Sequence, residues 1–206
     1  MIPLLLIVIV ASTAETTPLD AERAFAADAQ SIGQWSAFRK WAAQDATMFV
    51  PQPINAQSFL KDRKDPAKAV DWWPTASYVS CDGRLAINTG GWRRPDGSIG
   101  YFTTVWRQQN GRWKWIVDGG DGLNVARPRP ARPVITRASC TNAATVAQST
   151  LVKPGAKRGD GASPDGTISW NWQVTPDGAR SFTARMKDGS PVAKVIISDE
   201  IAAAPR

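Results

Sequence analysis

Two carboxylates stand three residues apart in the segment Asp118-Gly119-Gly120-Asp121-Gly122. At the rim of a pocket such a pair can share a proton or hold a cation, and one member can then act as a general base. In a plain glycine-rich turn the same two residues would only bond their own backbone. A third carboxylate, Asp28, lies on a helical stretch one position before Ala29 and faces either a pocket or solvent. The chain has no histidine, so acid–base chemistry would fall to Asp, Glu, Tyr, Cys or Lys with a shifted pKa. The only two cysteines, Cys81 and Cys140, have no partner ligands near them in sequence, so neither a metal site nor a cofactor is expected. In an oxidising compartment the two can pair; otherwise they are two separately buried thiols.

Large rings are the second chemical resource. Eight of the ten tryptophans precede Arg127, and each ring buries a large area. Tyr101, Thr103 and Val105 share one face of a strand-like segment, Phe102, Thr104 and Trp106 the other, and Trp113 and Trp115 share a face of the next. An aromatic wall is expected from Trp35, Tyr78, Trp92 and Tyr101. Thr103, Trp106, Trp113 and Trp115 complete it, and the whole suits a flat or apolar ligand. The alternative is a core packed solid with rings. Trp72-Trp73-Pro74 reads as a lid or a contact patch.

These residues need elements to position them. Apolar residues at 25, 29, 32, 35, 38, 41 and 42 recur at spacings of three and four, which predicts one amphipathic helix over Leu19–Ala43. Thr17 would cap it, Pro18 would open it, and Ser31-Ile32-Gly33 would divide or bend it. A short strand is expected over 45–51, helical turns over 57–61 and 65–73, and strands over 76–80, 85–92, 100–108 and 113–118. The turns Asp82-Gly83, Asp96-Gly97 and Asn110-Gly111 join these strands as hairpins, so the sheet should be an antiparallel meander. The proline- and arginine-rich stretch 124–137 reads as a linker, with a helix over Ser139–Thr150 and a flexible loop over Gly155–Ser163 after it. Three strands should then follow over 167–175, 180–187 and 191–198. The first alternates Ile168, Trp170, Trp172 and Val174 with polar residues, the pattern of a strand buried on one side. So small a unit needs a docking surface, which the first domain would supply.

The net charge of +7 is uneven: residues 15–125 carry 13 basic and 12 acidic groups, and residues 126–206 carry 12 and 6. The prolines between Arg127, Arg129 and Arg132 disfavour a groove-reading helix, so no nucleic acid is expected. The basic tail would be solvated or would touch an anionic envelope. Residues 1–14 read as an export signal, with an apolar run too short to span a bilayer and small residues before Glu15. The chain thus divides into a signal (1–14), a first domain (15–123), a linker (124–137) and a β-rich extension (138–206), and it is expected to be periplasmic or secreted.

The order of these segments carries a resemblance. A helix leads into Trp41-Ala42-Ala43-Gln44-Asp45-Ala46-Thr47-Met48-Phe49-Val50-Pro51, and hairpins end in Trp113-Lys114-Trp115-Ile116-Val117-Asp118. Over about Leu19–Gly122 this resembles the NTF2-like superfamily, with the SnoaL-like and DUF4440-like groups nearest. The resemblance implies an α+β cone, a long helix cradled by a curved antiparallel sheet with a pocket at one end. It also implies a homodimer formed through the outer sheet face. Members include isomerases, dehydratases, cyclases, hydrolases and binding domains, so fold alone assigns no chemistry. Ketosteroid-isomerase-like members place a base where this chain has Val50, and dehydratases use a histidine that it lacks. Three functions follow: an exported domain binding a small apolar or aromatic molecule, a lyase, isomerase or hydrolase using a pocket carboxylate, or an envelope interaction protein using its basic tail.

Overall fold

The computed structural model of the chain describes residues 17–141 and 152–203. The apolar start at 1–14 and most of the helix expected over Ser139–Thr150 lie outside the described residues.

The helical stretch is two helices, α1 (Pro18–Ile32) and α2 (Gln34–Trp41). Thr17 accepts the Asp20 amide at 3.1 Å and Pro18 opens the first turn, as the sequence suggests. Gly33 makes the break: its φ of 103° is open to glycine and strained for other residues. Asp65 closes over this joint, accepting the Ser36 amide and hydroxyl at 3.0 and 2.6 Å, which satisfies the start of α2. The buried face of α1 is Leu19, Glu22, Phe25 and Ala29, whereas Ile32 is half-exposed at the joint.

The first sheet has seven strands: β1 (Ala42–Phe49), β2 (Pro53–Asn55), β3 (Asp71–Val79), β4 (Leu85–Arg93), β5 (Ile99–Gln109), β6 (Arg112–Gly122) and β7 (Val134–Arg137). Their order is β2-β1-β6-β5-β4-β3-β7. A short helix, α3 (Ala56–Leu60), follows β2. The hairpins from β3 to β6 are antiparallel, with Asn110 and Gly111 both at positive φ between β5 and β6. The sheet as a whole is mixed, however, because β1 runs parallel to β6 and β7 parallel to β3. It curves around α1 and α2, and the result is the α+β cone that the resemblance implies.

Several local expectations are corrected. The helical turn expected over 65–73 is absent: residues 65–70 are irregular and 71–73 belong to a strand, and Trp72 and Trp73 are buried rather than a lid. The linker is packed: Arg127 donates to Thr89 at 2.6 Å, Arg129 pairs with Asp71 through two bonds of 2.9 Å, and residues 134–137 extend the sheet.

The extension forms a second antiparallel sheet, ordered β11-β10-β9-β8, from β8 (Lys157–Ala162), β9 (Ile168–Val174), β10 (Arg180–Met186) and β11 (Lys194–Ile201). β8 replaces the flexible loop. β9 is buried along its whole length, polar residues included, not on one side only. This sheet docks on the outer face of the first. Phe49 meets Trp172 edge to face at 5.3 Å, Thr103 donates to Asp199 at 2.8 Å, and Gln52 donates to the Thr175 carbonyl at 3.0 Å. Cys81 and Cys140 are disulfide-bonded, with Cα atoms 5.2 Å apart. One continuous core joins both sheets. The outer face through which the resemblance implied a homodimer is thereby occupied, around Thr103, by the chain's own extension.

Candidate functional site

A cavity of about 870 Å³ lies between the two helices and the concave face of the sheet. Phe25, Trp35 and Phe38 form its helical wall, and Met48, Trp72, Trp92 and Phe102 its sheet wall. Arg94, Ser98, Ile99 and Leu123 stand at the mouth. The helical spacing places Phe25 and Phe38 on facing sides of the Gly33 joint, where their rings meet edge to face at 4.8 Å. Phe25 meets Trp72 in the same way, also at 4.8 Å. A volume of this size, lined by rings with a few polar groups, falls in the range of small-molecule pockets.

Polar side chains interrupt the apolar lining, among them Glu22, Thr104 and Asp118. Glu22 of α1 has no solvent-exposed surface. It accepts indole N–H bonds from Trp72 at 2.9 Å and Trp106 at 2.8 Å, and an amide N–H from Asn88 at 3.2 Å. Burial pushes its carboxyl up to about 7. The three donors oppose that rise, and the negative charge of Asp118 adds to it.

Asp118 of β6 lines the cavity, partly accessible from it, and accepts the Thr104 hydroxyl at 2.8 Å. The bond follows from register, because Thr104 of β5 is directly opposite Asp118. Burial raises this carboxyl to about 6, while the Thr104 hydrogen bond and the charge of Arg180 hold it down. On its other side Asp118 pairs with Met48 of β1, two residues before Val50.

The glycines around Asp118 are strand residues, not a turn. A Cβ on Gly120 would come within 2.0 Å of the Tyr101 carbonyl, so only glycine allows β5 and β6 to approach there. Asp121 also lines the cavity but is exposed and accepts its neighbour's amide, from Gly122 at 2.8 Å, which is the backbone role of a turn aspartate. Asp28 lies away from the cavity, paired with Lys40 and accepting the Trp41 indole, both at 2.6 Å.

Of the residues expected in the wall, Trp35 and Trp92 line the cavity. Trp106 shares the concave face but lies beneath the cavity against Phe25 and Trp41, its N–H spent on Glu22. Trp113 and Trp115 are buried core residues and do not line it. Tyr78, Tyr101 and Thr103 do not line it either. Tyr101 and Thr103 face outward, one beneath the Arg127 guanidinium at 4.8 Å and the other on Asp199. The concave set on β5 is therefore Phe102, Thr104 and Trp106. Glu22, Phe25, Phe38, Trp72, Thr104 and Arg180 are among the lining residues outside the expected wall. Glu22 had a signal, since it lies three positions before Phe25 and so continues the apolar stripe with a carboxylate.

No family model matches the sequence, and no curated protein matches it. Among solved structures the chain is similar to a Parabacteroides distasonis protein provisionally described as a ketosteroid isomerase, at 17% identity and TM-score 0.45 over 55% of this chain and 93% of that one. It is similar to an NTF2-like protein of unknown function from Shewanella oneidensis, at 17% identity and TM-score 0.41 over 50% and 98%. A third is a Novosphingobium aromaticivorans protein provisionally described as an aromatic ring hydroxylase, at 15% identity and TM-score 0.40 over 55% and 91%. No residue role passes from these proteins to this chain.

Proposed function

We propose that the protein binds a small apolar or aromatic molecule in the cone cavity. The observation that carries this reading is the ring-lined hollow itself, with Phe25, Phe38, Trp72, Trp92 and Phe102 around a volume of about 870 Å³. Burying an apolar ligand there removes its surface from water at roughly 25 cal/mol per Å². The probe is N-phenyl-1-naphthylamine, followed by energy transfer from tryptophan. Saturable one-to-one binding is expected, with at least a tenfold loss in Ile99→Trp, which puts a bulky indole at the mouth. Absence of saturable binding, or equal binding by the variant, overturns the reading.

A second reading, proton transfer, is favoured by one observation: Asp118 lines the cavity with its carboxyl raised to about 6. At neutral pH it is ionised but poorly hydrated, the state of a general base. In such a step the carboxylate takes a proton from a carbon beside the ligand's carbonyl, leaving an enolate that solvent re-protonates while the Asp118 carboxyl releases its proton to solvent. In D2O the protein should therefore speed deuterium uptake into 2-tetralone, and Asp118→Asn should abolish the effect. Uptake unchanged by that substitution excludes Asp118 as the base.

Export is part of the proposal. It is supported by the apolar run at 4–10 and by the Cys81–Cys140 bond, since disulfides persist in oxidising compartments.

A further inference from the structure

Arg180 belongs to β10 of the second sheet, yet it lines the cavity of the first. Its guanidinium lies 4.4 Å over the Phe49 ring, and one Nη donates to the Gly120 carbonyl at 2.7 Å. Gly119 lies beside it: a Cβ there would be tight against Phe49 at 3.2 Å and at ordinary contact distance, 3.7 Å, from the Arg180 Nη2. A guanidinium carries five N–H donors, and among the described residues this one makes that single hydrogen bond. Arg23–Asp20, Lys40–Asp28, Arg107–Asp45 and Arg129–Asp71 pair within 4.0 Å, and Arg180 is in none of these pairs. Asp118, Asp121 and Asp199 act on it only through longer-range charge. A half-buried cation without a paired anion carries a desolvation cost that a ligand can offset. Arg94, the second cation in the lining, lies 4.6 Å over Trp92 and is likewise in none of those pairs.

We propose that Arg180 anchors the acidic group of the ligand, so that the cavity takes an organic acid with an apolar or aromatic body. The β-rich extension then supplies part of the site and is more than a cover for the sheet. This inference rests on the reading of the cavity as a small-molecule site and adds the ligand's charge to it.

Two probes with one ring skeleton separate the claims: uncharged N-phenyl-1-naphthylamine and the anion 8-anilinonaphthalene-1-sulfonate. Both are titrated against the wild type, Arg180→Gln, Arg180→Lys and the surface control Arg158→Gln, with far-UV circular dichroism to verify folding. A charge-assisted hydrogen bond in a partly dry site predicts about a tenfold loss of sulfonate affinity in Arg180→Gln. Arg180→Lys should recover part of that loss, the uncharged probe should change less than about twofold, and Arg158→Gln should change neither. Unaltered sulfonate affinity in Arg180→Gln overturns the anchoring role. So does an equal loss of both probes, or an equal loss of sulfonate affinity in Arg158→Gln. If the uncharged probe fails to bind even the wild type, the cavity reading itself fails and takes this inference with it.

Discussion

Glu22 shows how one residue can be both a structural hub and a titrating group. Two indoles and an amide converge on it, so its charge is solvated by the protein alone. Those bonds do not match the hydration it gives up, and its folded pKa of about 7 lies above the ordinary 4.5. Between these values the folded state holds a proton that the unfolded chain has released, so stability falls as pH rises through the window. The full difference is about 3 kcal/mol by order of magnitude. Asp118, raised from 3.8 to about 6, acts in the same direction between those values. Urea unfolding at pH 5, 6 and 7.5 should give decreasing stability for the wild type and a flatter dependence for Glu22→Gln. Identical slopes would mean that Glu22 does not titrate in this window. At this scale the sequence was partly legible. Asp118 could be singled out from its spacing to Asp121, but its pairing with Thr104 depended on the β5–β6 register, which residue types alone do not fix.

Elements were more legible where local chemistry decides them. Thr17 and Pro18 start α1, and Asn110-Gly111 turns β5 into β6, because each acts through its own backbone geometry. Gly33 marked a bend, but the degree of bending depended on Asp65, far away in sequence, capping the second helix. Trp72 and Trp73 were misread because two adjacent large rings look like an exposed patch in isolation. On a strand they point to opposite faces, and here both faces are covered: Trp72 reaches Glu22, while Trp73 reaches the Pro128 carbonyl and lies under Arg129 at 4.8 Å. The same linker residues explain why a proline-rich stretch is not loose. Its arginines pair with the first sheet, and its last four residues, beyond Pro133, add a strand.

For the whole molecule, the defining event is the docking of the second sheet. Sequence suggested that so small a unit needs support, but not that its polar β9 face would also be buried or that Arg180 would reach the cavity. Both depend on non-local packing that period-two patterning cannot encode. The docked sheet covers the outer face around Thr103 while leaving the concave face open, so the curved sheet separates a core from a cavity. The proton-transfer reading depends on Asp118 facing that cavity in a poorly hydrated setting. Carbon-13 NMR of the aspartate carboxyls, with the Asp118 signal identified by its loss in Asp118→Asn, measures this directly. A midpoint near 6 is expected, rising further when N-phenyl-1-naphthylamine is added and displaces water. An Asp118 signal that titrates near the ordinary 3.8, with no response to the probe, would contradict it.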